Sequence, residues 1–276
     1  MKVSVNTNQA AMVALQNMNT TSDDLRVVQD RISTGRRIAD AKDNASIWNI
    51  AQAQRGDFSS LSAVRMGLDR AASIADIALT AGTNISDLFI QIREKVVAAN
   101  DTTIDTNSRA LINQDYRNLI TQIGRATINA SFDGANLFNN SITGSLSFLA
   151  NAKTTSNITL TAQNLTFGGP IITLATTDSI TTAALAATVL TKVTASMVNL
   201  NRALGMLGSQ LKQIDDHNMF LGKMSDAIDA GIGNLVDADL AKESARLQAL
   251  NVKQELGTQS LAIANRQPQQ ILNLFK

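Results

Sequence analysis

The sequence contains no cysteine. Disulfides, thiolate metal centres, iron–sulfur clusters and thiol nucleophiles are therefore excluded. A single histidine, His217, rules out a histidine-rich metal site built within one chain. Only two prolines, Pro170 and Pro268, interrupt 276 residues, which leaves room for very long helices. Aromatics are 4% of the residues although 44% are hydrophobic, so the core must be built mainly of Ala, Leu, Ile and Val. Neither sign of charge is in excess, because 24 basic and 23 acidic residues nearly cancel. No basic face of the kind that binds nucleic acid is expected. No uninterrupted apolar run approaches the ~20 residues that cross a bilayer, so membrane insertion is not expected either. The segment Met1 to Ala10 lacks the apolar stretch of a cleaved secretory signal. A protein that stays in the cytoplasm, or that leaves by a route without such a signal, is expected.

What is present is periodicity. Stepping alternately by three and four from Leu61 gives Val64, Leu68, Ala71, Ala75, Ala78, Gly82, Ile85, Phe89, Ile92, Val96 and Ala99, all apolar or glycine. Such a stripe stays on one face of a slightly underwound helix. A second partial stripe, Ile74, Ile77, Ala81 and Leu88, implies packing against more than one neighbour. After a polar loop around Asn100 to Asn107, the rule returns with Ile112, Tyr116, Leu119, Ile123, Ala126 and Ala130. It returns at greater length from Leu190 through Val193, Met197, Leu200, Leu204, Leu207, Leu211, Ile214, Leu221, Ile228 and Ile232 to Leu235. Only Asn218 and Ser225 are polar on that seam, and polar seam residues can specify register.

The ends carry weaker stripes: Ala11, Leu15, Met18, Leu25, Val28 and Ile32 near one terminus, and Leu240, Leu247, Leu250 and Leu261 near the other. A further stripe, Ala249, Val252, Leu256 and Ile263, follows the second. A lone amphipathic helix is marginal in water, so these ends need each other or other molecules. The middle differs. From Gly134 to Thr194 only Lys153, Asp178 and Lys192 are charged, and Thr and Ser abound. Strands are predicted at Ser145–Leu149, Asn157–Leu160 and Ile171–Leu174, with Gly168–Gly169–Pro170 as a turn.

Chemistry-bearing patterns are sparse. Asp215, Asp216 and His217 are consecutive, so on a helix they point apart, and a solvated face is expected. Asp237, Asp239 and Glu243 lack the spacing of a calcium loop and read as the acidic start of a helix. Gly205 and Gly208 lie within the long stripe, where close helix packing is expected. Neither a phosphate-binding loop nor a zinc-protease motif occurs. No catalytic residue, metal ligand or cofactor is expected, and the chain does not read as an enzyme.

Several segments together resemble bacterial flagellins. Ser33–Thr34–Gly35–Arg36–Arg37–Ile38–Ala39–Asp40–Ala41–Lys42–Asp43–Asn44–Ala45 is similar to that family's N-terminal signature. Val5–Asn6–Thr7–Asn8 looks like its opening, and Phe132–Asp133–Gly134 like its turn from helix into β-structure. Asp237–Ala238–Asp239 with Ala241 and Glu243 resembles the start of its last helix. Ala264–Asn265–Arg266–Gln267–Pro268–Gln269–Gln270–Ile271–Leu272 is similar to its closing run. The insert is short, as in the compact flagellins of some alphaproteobacteria.

The resemblance implies a mainly α fold: a long antiparallel, coiled-coil-like helical rod with a small β-hairpin insert, and terminal helices that pair on assembly. Residues 1–40 and 240–276 would form the inner tube of a filament. Residues 41–239 would form the rod, with the insert at about 131–185. It further implies a secreted structural subunit of the flagellar filament, exported unfolded through the flagellar type III apparatus. Expected partners are further copies of the chain, an export chaperone, and the hook-associated junction and cap proteins. The expected subunit interface is Ala11, Leu15, Met18, Leu25, Val28, Ile32, Leu240, Leu247, Leu250, Val252, Leu256 and Ile263. A flagellin-like hook–filament junction protein is the alternative.

Overall fold

Residues 7–272 are described by a computed structural model, with side chains through Arg266. Val5 and Asn6 of the opening motif, most of the Met1 to Ala10 segment, and the side chain of Pro268 lie outside the described residues. In chain order the helices are α1 (Gln9–Thr34), α2 (Ala45–Asn100), α3 (Thr106–Asn129), α4 (Ala183–Val236) and α5 (Leu240–Leu272). Between α3 and α4 lie strands β1 (Ser131–Phe132), β2 (Ala135–Asn136), β3 (Ser145–Leu149) and β4 (Asn157–Thr161). The fold is mainly α, with two antiparallel strand pairs among the described residues. The chain divides into two units: residues 57–226, and residues up to 56 together with those from 227 onward.

In the 57–226 unit, the α2 stripe is the core. All twelve positions from Leu61 to Ala99 are buried. Specific contacts show α4 running antiparallel beside it. Arg65 Nε donates to Asn218 Oδ1 at 3.3 Å. Asn218 Nδ2 in turn donates to Asp69. Leu204 approaches Gly82 so closely that its side chain leaves no room for a Cβ there. The polar seam residue Asn218 therefore matches charged partners on α2, which is how a polar seam position fixes register. Gly205 and Gly208 have open space where a Cβ would sit, contrary to the close packing expected of them. The glycine that permits close packing is Gly82.

The seam of α4 also departs from its sequence stripe. Val193, Leu200, Leu207, Ile214 and Leu221 are fully buried, whereas Leu190, Met197, Leu204 and Leu211 are only half-buried. Val189, Ser196 and Ala203 take the buried places instead. The insert packs on that side: the Thr173 amide donates to Ser196 Oγ at 3.0 Å. Lys192 Nζ meets Asp178 Oδ1 at 2.8 Å. Helix α4 is long and apolar enough to cross a membrane by length and composition alone, which qualifies the expectation drawn from uninterrupted runs.

Asp105 caps helix α3, its Oδ1 accepting from the amides of Asn107 and Ser108 at 2.8 and 3.0 Å. Buried Tyr116, Leu119, Ile120 and Ile123 carry its inward face. Its end is closed by buried Asn136, whose side-chain amide donates to the carbonyls of Thr127 and Ile128 at 2.9 and 3.0 Å. Between β1 and β2, Asp133 and Gly134 both have positive φ, 48° and 76°, as a two-residue hairpin turn requires.

The β3–β4 hairpin pairs Phe148 with Ile158 and Leu146 with Leu160, and buries Ile158 and Leu160 on one face. The third strand expected at Ile171–Leu174 does not form. Ile172 and Leu174 are buried, but the segment folds back as a loop in which the Gly168 amide donates to the Leu174 carbonyl at 2.8 Å. Gly168, at φ 72°, supplies the expected turn. His217 does not lie on a solvated face. It is half-buried, with Nε2 2.7 Å from the Ala150 carbonyl beyond β3. A carbonyl only accepts, so Nε2 carries the proton in this contact.

Candidate assembly surface

Helices α1 and α5 pack against each other. They run antiparallel: Asn8 meets Ala264, Asp24 meets Arg246 at 4.0 Å, and Arg31 meets Glu243 at 3.3 Å. Asn8 caps α1, its Oδ1 accepting from the Ala11 amide at 3.1 Å. Asp239 caps α5, its Oδ1 accepting from Ala241 and Lys242 at 3.0 and 3.1 Å. Glu243 stands in the first turn of α5, where a carboxylate suits the helix dipole.

The terminal stripes divide into an inner and an outer set. Leu25, Val28 and Leu250 are buried together, with Ile32 and Leu247 packed on them. Ala11 and Met18 are half-buried, and a Cβ on Gly257 would lie 4.0 Å from Met18 Cβ. These side chains find cover within the chain itself. The others do not. Leu15 and Leu240 are exposed, as are Val252, Leu256 and Ile263 at 55%, 56% and 68%. Val252, Leu256 and Ile263 follow helical spacing and form one strip of α5 facing away from Leu250. Met12 and Val13 on α1 are exposed as well, although neither belonged to the sequence stripe. Val13, Ala14, Asn17, Gly257, Ser260 and Ile263 line a shallow groove along the pair.

The two signature motifs meet at the far end of this pair. Helix α1 ends on Gly35, which is left-handed at φ 68°. Its carbonyl accepts from the Ala238 amide at 3.0 Å. Arg36 pairs with Asp237 as an isolated antiparallel bridge. The Val236 carbonyl accepts from the amides of Arg37 and Ile38 at 2.7 and 3.2 Å. Arg37 Nη2 adds a bond to the Leu235 carbonyl at 2.7 Å, between residues 198 apart in sequence. Ile38 is buried, whereas Ser33, Arg37, Ala41 and Asp43 are exposed.

Asp43 holds its own loop, its Oδ2 accepting from the Ala39 amide at 2.8 Å. Asn44 starts α2 by accepting from the Ile47 amide at 3.1 Å. Next to the motif, Ala51, Ile232 and Val236 form a small core. Asp237 is exposed and Asn265 lies on the solvent side of α5. The ion pair between Arg31 and buried Glu243 was not legible in the sequence, because its partners are 212 residues apart. Among the described residues, no group of three or more His, Cys, Asp or Glu side chains could hold a metal ion.

Fold and junction together define a mainly α protein whose first and last helices, α1 and α5, fold onto each other. The family description for the bacterial flagellin N-terminal helical region matches residues 5–143, and that for the C-terminal helical region matches residues 190–275. Flagellin FljJ of Caulobacter vibrioides is 50% identical over 280 residues, covering 100% of this chain and 99% of that protein. Flagellin FljO of the same organism is 46% identical over 99% of this chain and 98% of its own. A flagellin of Brucella melitensis is 36% identical over 99% of each chain. The crystal structure of Bacillus cereus flagellin shares the fold, with a TM-score of 0.50 and 18% identity over 56% of this chain and 87% of that one. This chain belongs to the bacterial flagellin family, the structural helical subunits of the flagellar filament.

Proposed function

We propose that the chain is secreted unfolded through the flagellar type III apparatus and polymerises outside the cell into the filament that drives swimming. An export chaperone would hold it beforehand. The hook-associated junction and cap proteins would meet it at the two ends of the growing polymer. In this reading residues 1–40 and 240–276 line the inner tube, and residues 41–239 form the layer around it. The absence of cysteine suits passage as an unfolded chain, since no disulfide can form before export.

One observation carries the reading. The strip Val252, Leu256 and Ile263 stays open to solvent after α1 and α5 have paired. Leu25, Val28, Ile32, Leu247 and Leu250 build the pair, and the exposed strip with Leu15 and Leu240 meets neighbouring copies. Apolar burial contributes about 25 cal/mol per Å². Ordering the ends costs on the order of 1–2 kcal/mol per residue in backbone entropy. Contact on several sides at once is needed to offset that, so growth is cooperative and favoured at an existing tip. Repetition of one heterologous contact gives an open helical polymer rather than a closed ring.

The test is growth on seeds. Purified chain added to short filament fragments should lengthen them, as seen by electron microscopy. A chain that binds the fragments but never extends them would be an adaptor, and the proposal would fail.

A further inference from the structure

The closing motif places Pro268 inside α5, which continues to Leu272. Proline has no backbone N–H. In a helix the carbonyl of Ala264 accepts from the amide four residues on, and that residue is Pro268. The Ala264 carbonyl therefore lacks its i+4 helical donor, and Ala264 is buried. A carbonyl stranded away from water is costly. Its donor comes from the other end of the chain: Asn8 Nδ2 lies 2.7 Å from Ala264 O. The same side chain caps α1, with Oδ1 accepting from the Ala11 amide at 3.1 Å. Both contacts fix the orientation of the amide, because the Ala11 amide requires an oxygen and the Ala264 carbonyl requires an N–H.

We infer that Asn8 and Pro268 act as a matched pair, the proline freeing one carbonyl of α5 and the asparagine amide filling it, so that the start of α1 is held in register on α5. The Gly35–Ala238 junction and the Arg31–Glu243 pair hold the other end, and this bond holds the end at Asn8. Asn8 is thus a positioning residue, and its effect on assembly runs through the orientation of the outward strip.

The absence of cysteine makes the register measurable. A Cβ on Gly257 would stand 4.0 Å from Met18 Cβ, within disulfide reach. In a full-length Met18→Cys, Gly257→Cys chain, oxidative cross-linking reads the register, both free in solution and in seeded filaments. Asn8→Asp keeps an oxygen cap for α1 but loses the amide donor and sets a carboxylate against the carbonyl. It should slow cross-linking at least about fivefold, the factor expected when one neutral hydrogen bond is lost. Pro268→Ala gives that carbonyl a helical donor, so Asn8→Asp should slow cross-linking far less in the Pro268→Ala background than in the parental chain. Unchanged cross-linking in Asn8→Asp, or an equal defect with and without Pro268→Ala, would overturn the inference. A chain that cross-links normally but never polymerises would instead count against the filament reading alone.

Discussion

Consider Val252→Asp combined with Leu256→Asp, two changes on the exposed strip of α5. Both side chains are a little over half exposed. Full burial of a Val or Leu side chain contributes about 1.5–3 kcal/mol, so covering the exposed half contributes about 1–1.5 kcal/mol each. The pair therefore accounts for about 2–3 kcal/mol of each subunit's attachment. At about 1.4 kcal/mol per factor of ten, losing it raises the critical concentration for growth roughly 30- to 140-fold. Two carboxylates pressed into an apolar contact raise it further. The same changes face solvent in the isolated chain, where surface substitutions stay within about 0.5 kcal/mol of parental stability. Seeded growth followed by sedimentation gives the critical concentration, and thermal melting by circular dichroism gives the stability. Parental growth by a normally folded double variant would refute the assignment of this strip to the subunit interface. Leu250→Asp is the contrasting control. It strikes the buried seam, and should loosen the α1–α5 pair itself.

Three further outcomes follow from the other unit. Leu207→Ala removes a fully buried side chain of α4 and should cost about 2–5 kcal/mol in denaturant unfolding, without altering the exposed strip. His217→Ala deletes the bond to the Ala150 carbonyl. A loss of about 1 kcal/mol is expected, together with faster amide exchange confined to the β3–β4 hairpin. The third concerns acid. The hydroxyl and amide of Ser108 hold the Asp105 carboxyl below its ordinary range, and the amide and hydroxyl of Thr103 do the same for Asp101. Depressed carboxyl values stabilise the fold above the unfolded value of about 4, and that contribution is lost as pH falls through the folded values. The loop between α2 and α3 should therefore loosen below about pH 4. Amide exchange at Asn107 and Ser108 reports it, and Asp105→Asn should flatten the dependence.

The stripe from Leu61 to Ala99 was fully legible, because a 3.5-residue repeat can keep only one face of a helix dry. The long α4 stripe was legible as a helix but not as a burial pattern. Ser196 and Ala203 displaced Met197 and Leu204 from the most buried line, since the insert packs beside them and small residues admit it. His217 was misjudged for the same reason: its acceptor is 67 residues away on the hairpin loop. The segment from Ile171 to Leu174 has strand composition but no strand partner, and a buried loop satisfies its apolar side chains equally well.

By itself the sequence determined the helices, the acidic start of α5, the turn at Asp133–Gly134 and the family, all of which are local or are repeated patterns along one element. Tertiary structure alone decided which apolar residues of the ends are covered and which remain open. It also decided that the motif around Gly35 to Asp43 closes onto the motif around Asp237. Both depend on pairing between residues some 200 positions apart. Periodicity tells a helix which face to hide but carries no information about what will cover it.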